Sequence, residues 1–298
     1  MKKIFEVMAI PGADRFLNCV LNRSEKDLVL KILVLMLIVL GTPAYMLYGM
    51  IKFQIQAEYV YTLDMYYTIV LLMGIVAVFL IFNMISALIR HHERDVEWMS
   101  SLIEYANHFG KDVSALVDIR DEFLGLTSRK YLRMAFWLFV AVTVADTVQM
   151  MYYAFYYMEE DVAIASEMMT ALVILVSLSI SNGYVYYTMW RVDTLQCRFT
   201  EVFAEMMSEE EHVLQPMERR CKEPRLWIHV ILMIATLGIY TQVFALMTVH
   251  KMNLHIKGQW RYERSVLEWM GRKDGAVGVE KVEKVHPGGF LNQLKRVM

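Results

Sequence analysis

The chain has 298 residues, of which 57% are apolar and 21% charged, and its mean hydropathy is +0.35. An apolar share this high lies above the usual range of globular domains and predicts helices that lie in lipid. The net charge of −2 creates no basic field of the kind that attracts nucleic acid, so nucleic acid is excluded as an expected partner.

Five runs are long enough to cross a hydrocarbon core as helices, which takes about 20 residues each. Four of the runs carry no Asp, Glu, Lys or Arg, and one contains a single charge, Asp146. The runs are residues 32–51, 65–89, 134–158, 168–190 and 226–249. We therefore predict an all-α, polytopic transmembrane helical bundle: four full spans plus a re-entrant hairpin or fifth span, with cytoplasmic helical extensions.

Lys and Arg are concentrated in the N-terminal segment and in the two long connectors. Because cytoplasmic loops carry the excess of these residues, we expect a multi-pass protein of the cell membrane with a cytoplasmic N-terminus. The predicted order begins with a cytoplasmic segment (1–31) and a transmembrane hairpin (32–89). A cytoplasmic helical segment (90–133), a second transmembrane hairpin (134–190) and a second cytoplasmic helical segment (191–225) follow.

The last apolar run, 226–249, contains a turn signal at residues 236–240, Thr-Leu-Gly-Ile-Tyr. Because Gly tolerates the backbone angles of a tight turn, this run either dips into the membrane as a re-entrant hairpin or crosses it as a fifth span. A hairpin places the remaining segment, 250–298, on the cytoplasmic side as a helix followed by a flexible basic tail.

The turn and the polar helix after it resemble prokaryotic membrane-protein families of unknown function. Those families carry a turn of Thr, Leu or Phe, Gly, Ile or Leu, and Tyr between two short apolar helices. The resemblance covers about residues 226–270 and implies no known activity. In this chain the polar helix would include Asn253, His255, Gln259, Trp260, Tyr262 and Glu263.

Two apolar stripes repeat at helical spacing in the predicted cytoplasmic helices, and we expect them to pack against each other in a small bundle. They consist of Val96, Met99 and Ile103 on one helix and of Phe199, Val202, Phe203 and Met206 on the other. The charged residues 91–94, His-His-Glu-Arg, and 209–212, Glu-Glu-Glu-His, are predicted to form solvated faces.

Asp146 lies at the midpoint of its run, where an ionised carboxylate costs roughly 2.5–3.5 kcal/mol in a membrane. Thr42, Ser179 and Thr236 lie at comparable depth in other runs, and together the four residues are the candidate site for a proton or a hard cation. Alternatively, a neutral Asp146 forms a single interhelical hydrogen bond and has no further role.

These features favour a small transporter or channel that uses Asp146 as its proton or cation site. The alternative is a non-catalytic membrane scaffold or signalling component that acts through its cytoplasmic helices. Expected partners are the lipid bilayer, further copies of the chain, and, for the scaffold, a cytoplasmic protein. No enzymatic activity, cofactor or metal site is expected, because the sequence contains no G-x-S-x-G, P-loop, H-E-x-x-H or G-x-G-x-x-G pattern.

Overall fold

The computed structural model describes residues 10–23, 27, 62–126, 129–156, 160–208, 213–236 and 240–274. These ranges contain seven helices and no strand. In chain order the helices are α1 (Ala13–Leu21), α2 (Thr62–His108), α3 (Ser114–Leu126), α4 (Arg129–Tyr156), α5 (Glu160–Met207), α6 (Leu226–Ala235) and α7 (Tyr240–Asp274).

The longest helices are α2 and α5, with 47 and 48 residues. Each contains one Gly and no Pro, so the backbone hydrogen-bond ladder is not interrupted. Helix α2 ends where Gly110 adopts a left-handed backbone conformation (φ +68°). The amide of Lys111 then donates to the Ala106 carbonyl over 3.3 Å, which satisfies a carbonyl that the helix end leaves open.

Helices α2, α5 and α7 run side by side in the same direction. Trp98 of α2 packs on Phe199 of α5 with ring centroids 5.6 Å apart, and Phe203 lies 6.4 Å from Trp269 of α7. Helix α4 returns antiparallel along α2, with Phe136 against Phe82 at 5.5 Å. The three parallel helices thereby present long faces to one another.

The hydrophobic core lies at the C-terminal halves of these three helices. Trp98 is fully buried and contacts Phe16 of α1 and Tyr262 of α7. Both predicted stripes belong to this core, which confirms that they pack within the protein. Their buried members are Met99, Ile103, Phe199 and Phe203, with Val96, Val202 and Met206 packed against them.

Helix α1 approaches α2 closely through Gly12. This residue has φ +86°, and a Cβ atom there would lie 2.3 Å from the Ser101 carbonyl oxygen and 2.6 Å from the Tyr105 amide nitrogen. Only Gly fits such a contact. The position of α1 on α2 therefore depends on this residue.

The membrane expectations are wrong. Within the described ranges no helix is both long enough and apolar enough to cross a membrane. This finding overturns the polytopic transmembrane bundle, with its four spans and its re-entrant hairpin or fifth span, and the multi-pass location in the cell membrane with a cytoplasmic N-terminus. The first run, 32–51, lies outside the described residues.

The described residues give a physical reason for two of these runs. In the run 168–190, six of the eight residues at 182–189 are buried within the protein. The last run is divided, because α6 ends after ten residues. That length is about 15 Å, half of the roughly 30 Å that a hydrocarbon core requires.

Candidate functional site

A network of charged and polar side chains is buried where the three parallel helices meet the N-terminal segment. Its members come from α2, α5, α7 and the residues just after α1. Apart from Arg23 and Asp27, each at 5%, they are 0–1% exposed, and they comprise Arg23, Asp27, His91, Arg94, Asp95, Asp193, Gln196, His255, Gln259 and Glu263. Buried charges are expensive unless they are paired, so their partners determine what this site can do.

His91 of α2 bridges two carboxylates. Its Nδ1 lies 3.0 Å from Asp27 Oδ1, and its Nε2 lies 3.3 Å from Asp95 Oδ2. Burial alone would lower the pKa of His91, but the nearby Asp95 and Asp27 outweigh it and raise the pKa above its ordinary value. The protonated form of His91 is therefore favoured by its surroundings.

Arg94 joins the same carboxylates to α7. Its guanidinium lies 3.1 Å from Asp27 Oδ2 and 2.7 Å from Glu263 Oε1. Although burial opposes the charge of Arg94, Glu263 and Asp27 outweigh it and raise the pKa of Arg94. Burial opposes the ionised form of Asp27 too, but the neighbouring His91 and Arg94 lower the pKa of its carboxyl.

Glu263 differs from the other carboxylates of the network. It is fully buried, and this burial outweighs the attraction of Arg94 and raises the pKa of Glu263 to about 7. The carboxyl also lies 3.7 Å from Arg23. Glu263 is thus a carboxyl that exchanges its proton near neutral pH.

Hydrogen bonds fix the orientation of both aspartates. The amide Nε2 atoms of Gln196 and Gln259 donate to Asp95 over 2.6 and 2.7 Å. Asp27 accepts a hydrogen bond from the indole of Trp260, and the guanidinium of Arg23 lies over that indole at 5.1 Å. Donors from α5 and α7 therefore converge on carboxylates of α2 and of the N-terminal segment.

A second imidazole–carboxylate pair adjoins the first. His255 Nδ1 lies 2.6 Å from Asp193 Oδ1, and the His255 ring contacts the His91 ring edge-on at 5.2 Å. The other oxygen of Asp193 accepts the backbone amides of Arg220 and Cys221. Burial opposes its charge, but these hydrogen bonds, led by that of His255, lower the pKa of Asp193.

The arrangement can bind and release protons and can hold helices in register. The guanidinium groups of Arg23 and Arg94 contribute +2, and the carboxylates of Asp27, Asp95 and Glu263 contribute −3 when ionised. One further proton, on His91 or on Glu263, brings this part of the network to zero. Among the residues that the structure describes, no three His, Cys, Asp or Glu side chains are grouped as in a metal site.

This buried network is not evident from the sequence. The prediction that residues 91–94 form a solvated face is wrong, because His91, His92 and Arg94 are at most 8% exposed and only Glu93 of the four is exposed. The available signal was helical spacing. His255, Gln259 and Glu263 follow one another at intervals of four and share one face of α7.

The four residues predicted to bind a proton or a cation are not brought together among the described side chains. Thr42 lies outside the described residues, and Asp146 lies on α4 but its side chain is not among those described. The Ser179 hydroxyl lies 2.8 Å from Thr241 Oγ1. Thr236 follows α6, and its hydroxyl accepts the Tyr240 amide over 3.0 Å at the start of α7.

Comparisons with known proteins identify no relative. No family model matches the chain, and neither the curated proteins nor the solved structures contain a match to it.

Proposed function

We propose that this protein is a non-catalytic helical scaffold with a signalling role, in which protons bound by the buried network control how tightly the N-terminal segment packs on α2 and α7. The observation that carries this proposal is His91, a buried imidazole between the carboxylates of Asp27 and Asp95. Imidazole changes its charge near neutral pH. Because Asp27 follows α1 closely in the chain, the charge of His91 acts directly on the docking of that helix.

The sign of the effect follows from the charges. His91 and Glu263 both have raised pKa values in the folded protein, so each contributes stability that is present at low pH and lost as the pH rises through its folded pKa. Above neutral pH the part of the network formed by Arg23, Arg94, Asp27, Asp95 and Glu263 would carry a net charge of −1 without access to water. We therefore expect the N-terminal segment to loosen at alkaline pH.

A scaffold fits this site better than an enzyme does. The carboxylates and imidazoles of the network are paired with each other or with arginines, and they are almost completely buried. A substrate would have to displace these pairs to reach them. The transport hypothesis depended on Asp146 within a membrane span and is not carried forward, since no described helix qualifies as one.

The exposed face of α4 supports an interaction role. Its uncharged residues recur three and four residues apart, the spacing of a coiled-coil seam, and they are Met134, Trp137, Ala141, Val144, Val148 and Met151. A second copy of the chain is the partner that we propose for this face, because none of these six residues carries a charge and two such seams can pair through apolar side chains. Light scattering should then show an oligomer for the wild type and for Val213→Glu on an exposed loop, but a lower mass for Val144→Glu.

Hydrogen exchange tests the proton-dependent docking. Protection factors of the α1 amides, corrected for intrinsic exchange, should fall in the wild type as the pH is raised from about 6 to 8. His91→Gln should reduce this pH dependence, because Gln cannot carry the bridging charge, and the part that remains should be due to Glu263. Direct titration of the His91 ring by NMR should place its pKa above the ordinary value of about 6.5.

His108→Gln is the matched control, since His108 is exposed at the end of the same helix. It should leave the pH profile of α1 protection unchanged. A wild-type profile that is flat from pH 6 to 8, or one that His108→Gln reduces as much as His91→Gln does, would contradict the proposal. The wild-type measurement alone is decisive if the His91 variant does not fold.

A further inference from the structure

A cavity lies away from the network, where the beginning of α7 packs on α5. It is a half-open cavity of about 370 Å³ between α5, α6 and α7. Its walls are almost entirely apolar, and no Asp, Glu, Lys or Arg lines it. An engineered cavity of about 150 Å³ accommodates benzene, so this one has room for a ligand of more than twice that size.

Aromatic rings and a few polar atoms shape the cavity. Tyr184 and Tyr187 of α5 and Tyr240 and Phe244 of α7 supply four of the rings, and Gly183 leaves open space beside them. A Cβ atom at Gly183 would meet only Leu226 Cδ2, at 3.7 Å. Ligand sites in proteins combine mostly apolar walls with a small number of placed polar groups, and this cavity has that composition.

The polar atoms include a hydroxyl pair from two helices. Ser179 Oγ and Thr241 Oγ1 are 2.8 Å apart, and Ser179 also donates to the sulfur of Met233 at 2.8 Å. A hydroxyl oxygen has two acceptor sites. Thr241 is 1% exposed, so its hydroxyl lies behind the cavity wall, and the half-buried Ser179 presents the pair to the cavity.

The third polar group is the imidazole of His229 on α6. Its Nδ1 lies 2.9 Å from the Tyr240 hydroxyl, and its ring stacks on Phe244 at 4.2 Å. Partial burial lowers the pKa of His229, which favours the neutral ring at neutral pH. A neutral ring bonded through Nδ1 has Nε2 as its remaining donor or acceptor.

We infer that this cavity is a binding site for an uncharged, largely apolar small molecule that carries one hydroxyl group. A hydroxyl both donates and accepts, so it can donate to the Ser179 oxygen and pair with His229. A charged ligand is disfavoured, because no opposite charge lines the walls and the cost of desolvation would be uncompensated. The site is independent of the proton-binding network, and either one can fail its test while the other stands.

The test uses N-phenyl-1-naphthylamine, an uncharged probe whose fluorescence rises in apolar surroundings, and competition by three ten-carbon ligands. The wild type should bind the probe, and 1-decanol should displace it more effectively than decyl methyl ether, which lacks the donor, and than decanoate, which is charged. The Ser179→Ala/Thr241→Val double variant removes both hydroxyls together. It should retain probe binding and reduce the preference for the alcohol over the ether by about threefold to tenfold.

Val230→Trp tests the location of the site. Val230 lines the cavity and is 49% exposed, so a larger side chain can fill the space without disturbing the core. Probe binding should weaken by roughly tenfold or more, while Val213→Trp, outside the cavity on an exposed loop, should bind as the wild type does. Absence of probe binding in the wild type, equal binding by Val230→Trp, or equal displacement by all three ligands would overturn the inference.

Discussion

Replacing Glu263 by Gln removes the carboxyl that exchanges its proton near neutral pH and leaves a side chain of similar shape. Burial raises the pKa of Glu263 to about 7 from 4.5 in the unfolded chain. Between these two pH values the folded protein holds a proton that the unfolded chain has released. By linkage, a rise in pH across this window lowers the free energy of unfolding.

The magnitude follows from the two pKa values. Their difference, 7 − 4.5 = 2.5, corresponds to about 3 kcal/mol at ~1.36 kcal/mol for each pKa unit. Gln cannot ionise, so the free energy of unfolding of the variant minus that of the wild type should rise by about 3 kcal/mol between pH 4.5 and 7.5. Taking this difference cancels the contributions of titrating groups such as Asp27 that both proteins share.

The assay is urea unfolding followed by circular dichroism at four or five pH values in that window. Glu268→Gln is the matched control: Glu268 lies on the same helix, pairs with Arg264 at 3.0 Å and is solvent-exposed. Its effect should be at most about 1 kcal/mol and nearly independent of pH, as for other surface ion pairs. A level or falling difference for Glu263→Gln would refute the reasoning, because it would mean that the pairing with Arg94, rather than burial, dominates this carboxyl.

Three further predictions concern other parts of the fold. Both Gly12 and Gly110 have positive φ, but only Gly12 lies against backbone atoms of another helix. In urea titrations, Gly110→Ala should therefore lower the free energy of unfolding by roughly 1–2 kcal/mol, and Gly12→Ala should lower it by roughly 3 kcal/mol or more. Burial lowers the pKa of His92 to about 4, so the wild type should lose stability as the pH falls from 6.5 to 4, and His92→Phe should recover about 3 kcal/mol of it at pH 4. Burial and the nearby Asp193 raise the pKa of Cys197 and Cys221 to about 12, so both thiols should react with a disulfide reagent at pH 8 only at the rate of unfolding; rapid reaction in the folded protein would contradict this.

Part of the fold follows from local sequence patterns. The helical repeat of Met99 and Ile103 on α2 and of Phe199 and Phe203 on α5 predicted their mutual packing, and the structure buries all four in one core. Repeats of this kind can be recognised because a helix returns to the same face every three or four residues.

The membrane expectation and the buried network could not be obtained in this way. The mean hydropathy of a run depends only on its own residues. It therefore predicts a membrane span for an uncharged stretch such as residues 168–190, whether lipid or another helix surrounds that stretch. The charged residues His91 and Arg94 read as a solvated face for the opposite reason. Their burial depends on Asp27 and Glu263, which lie 64 and 169 residues away in the sequence, and no local pattern reports such a pairing.

The network also explains how three parallel helices keep a single register. Apolar stripes alone would permit α5 or α7 to slide by one turn along α2, since each stripe repeats every three or four residues. Asp95 receives one amide donor from Gln196 and another from Gln259. A shift of α5 by one turn, about 5.4 Å, would break the first bond, and the same shift of α7 would break the second and separate the buried Glu263 carboxylate from Arg94. Because an unpaired buried charge costs roughly 3–5 kcal/mol, we infer that the network selects one alignment of these helices among several that the hydrophobic core would accept.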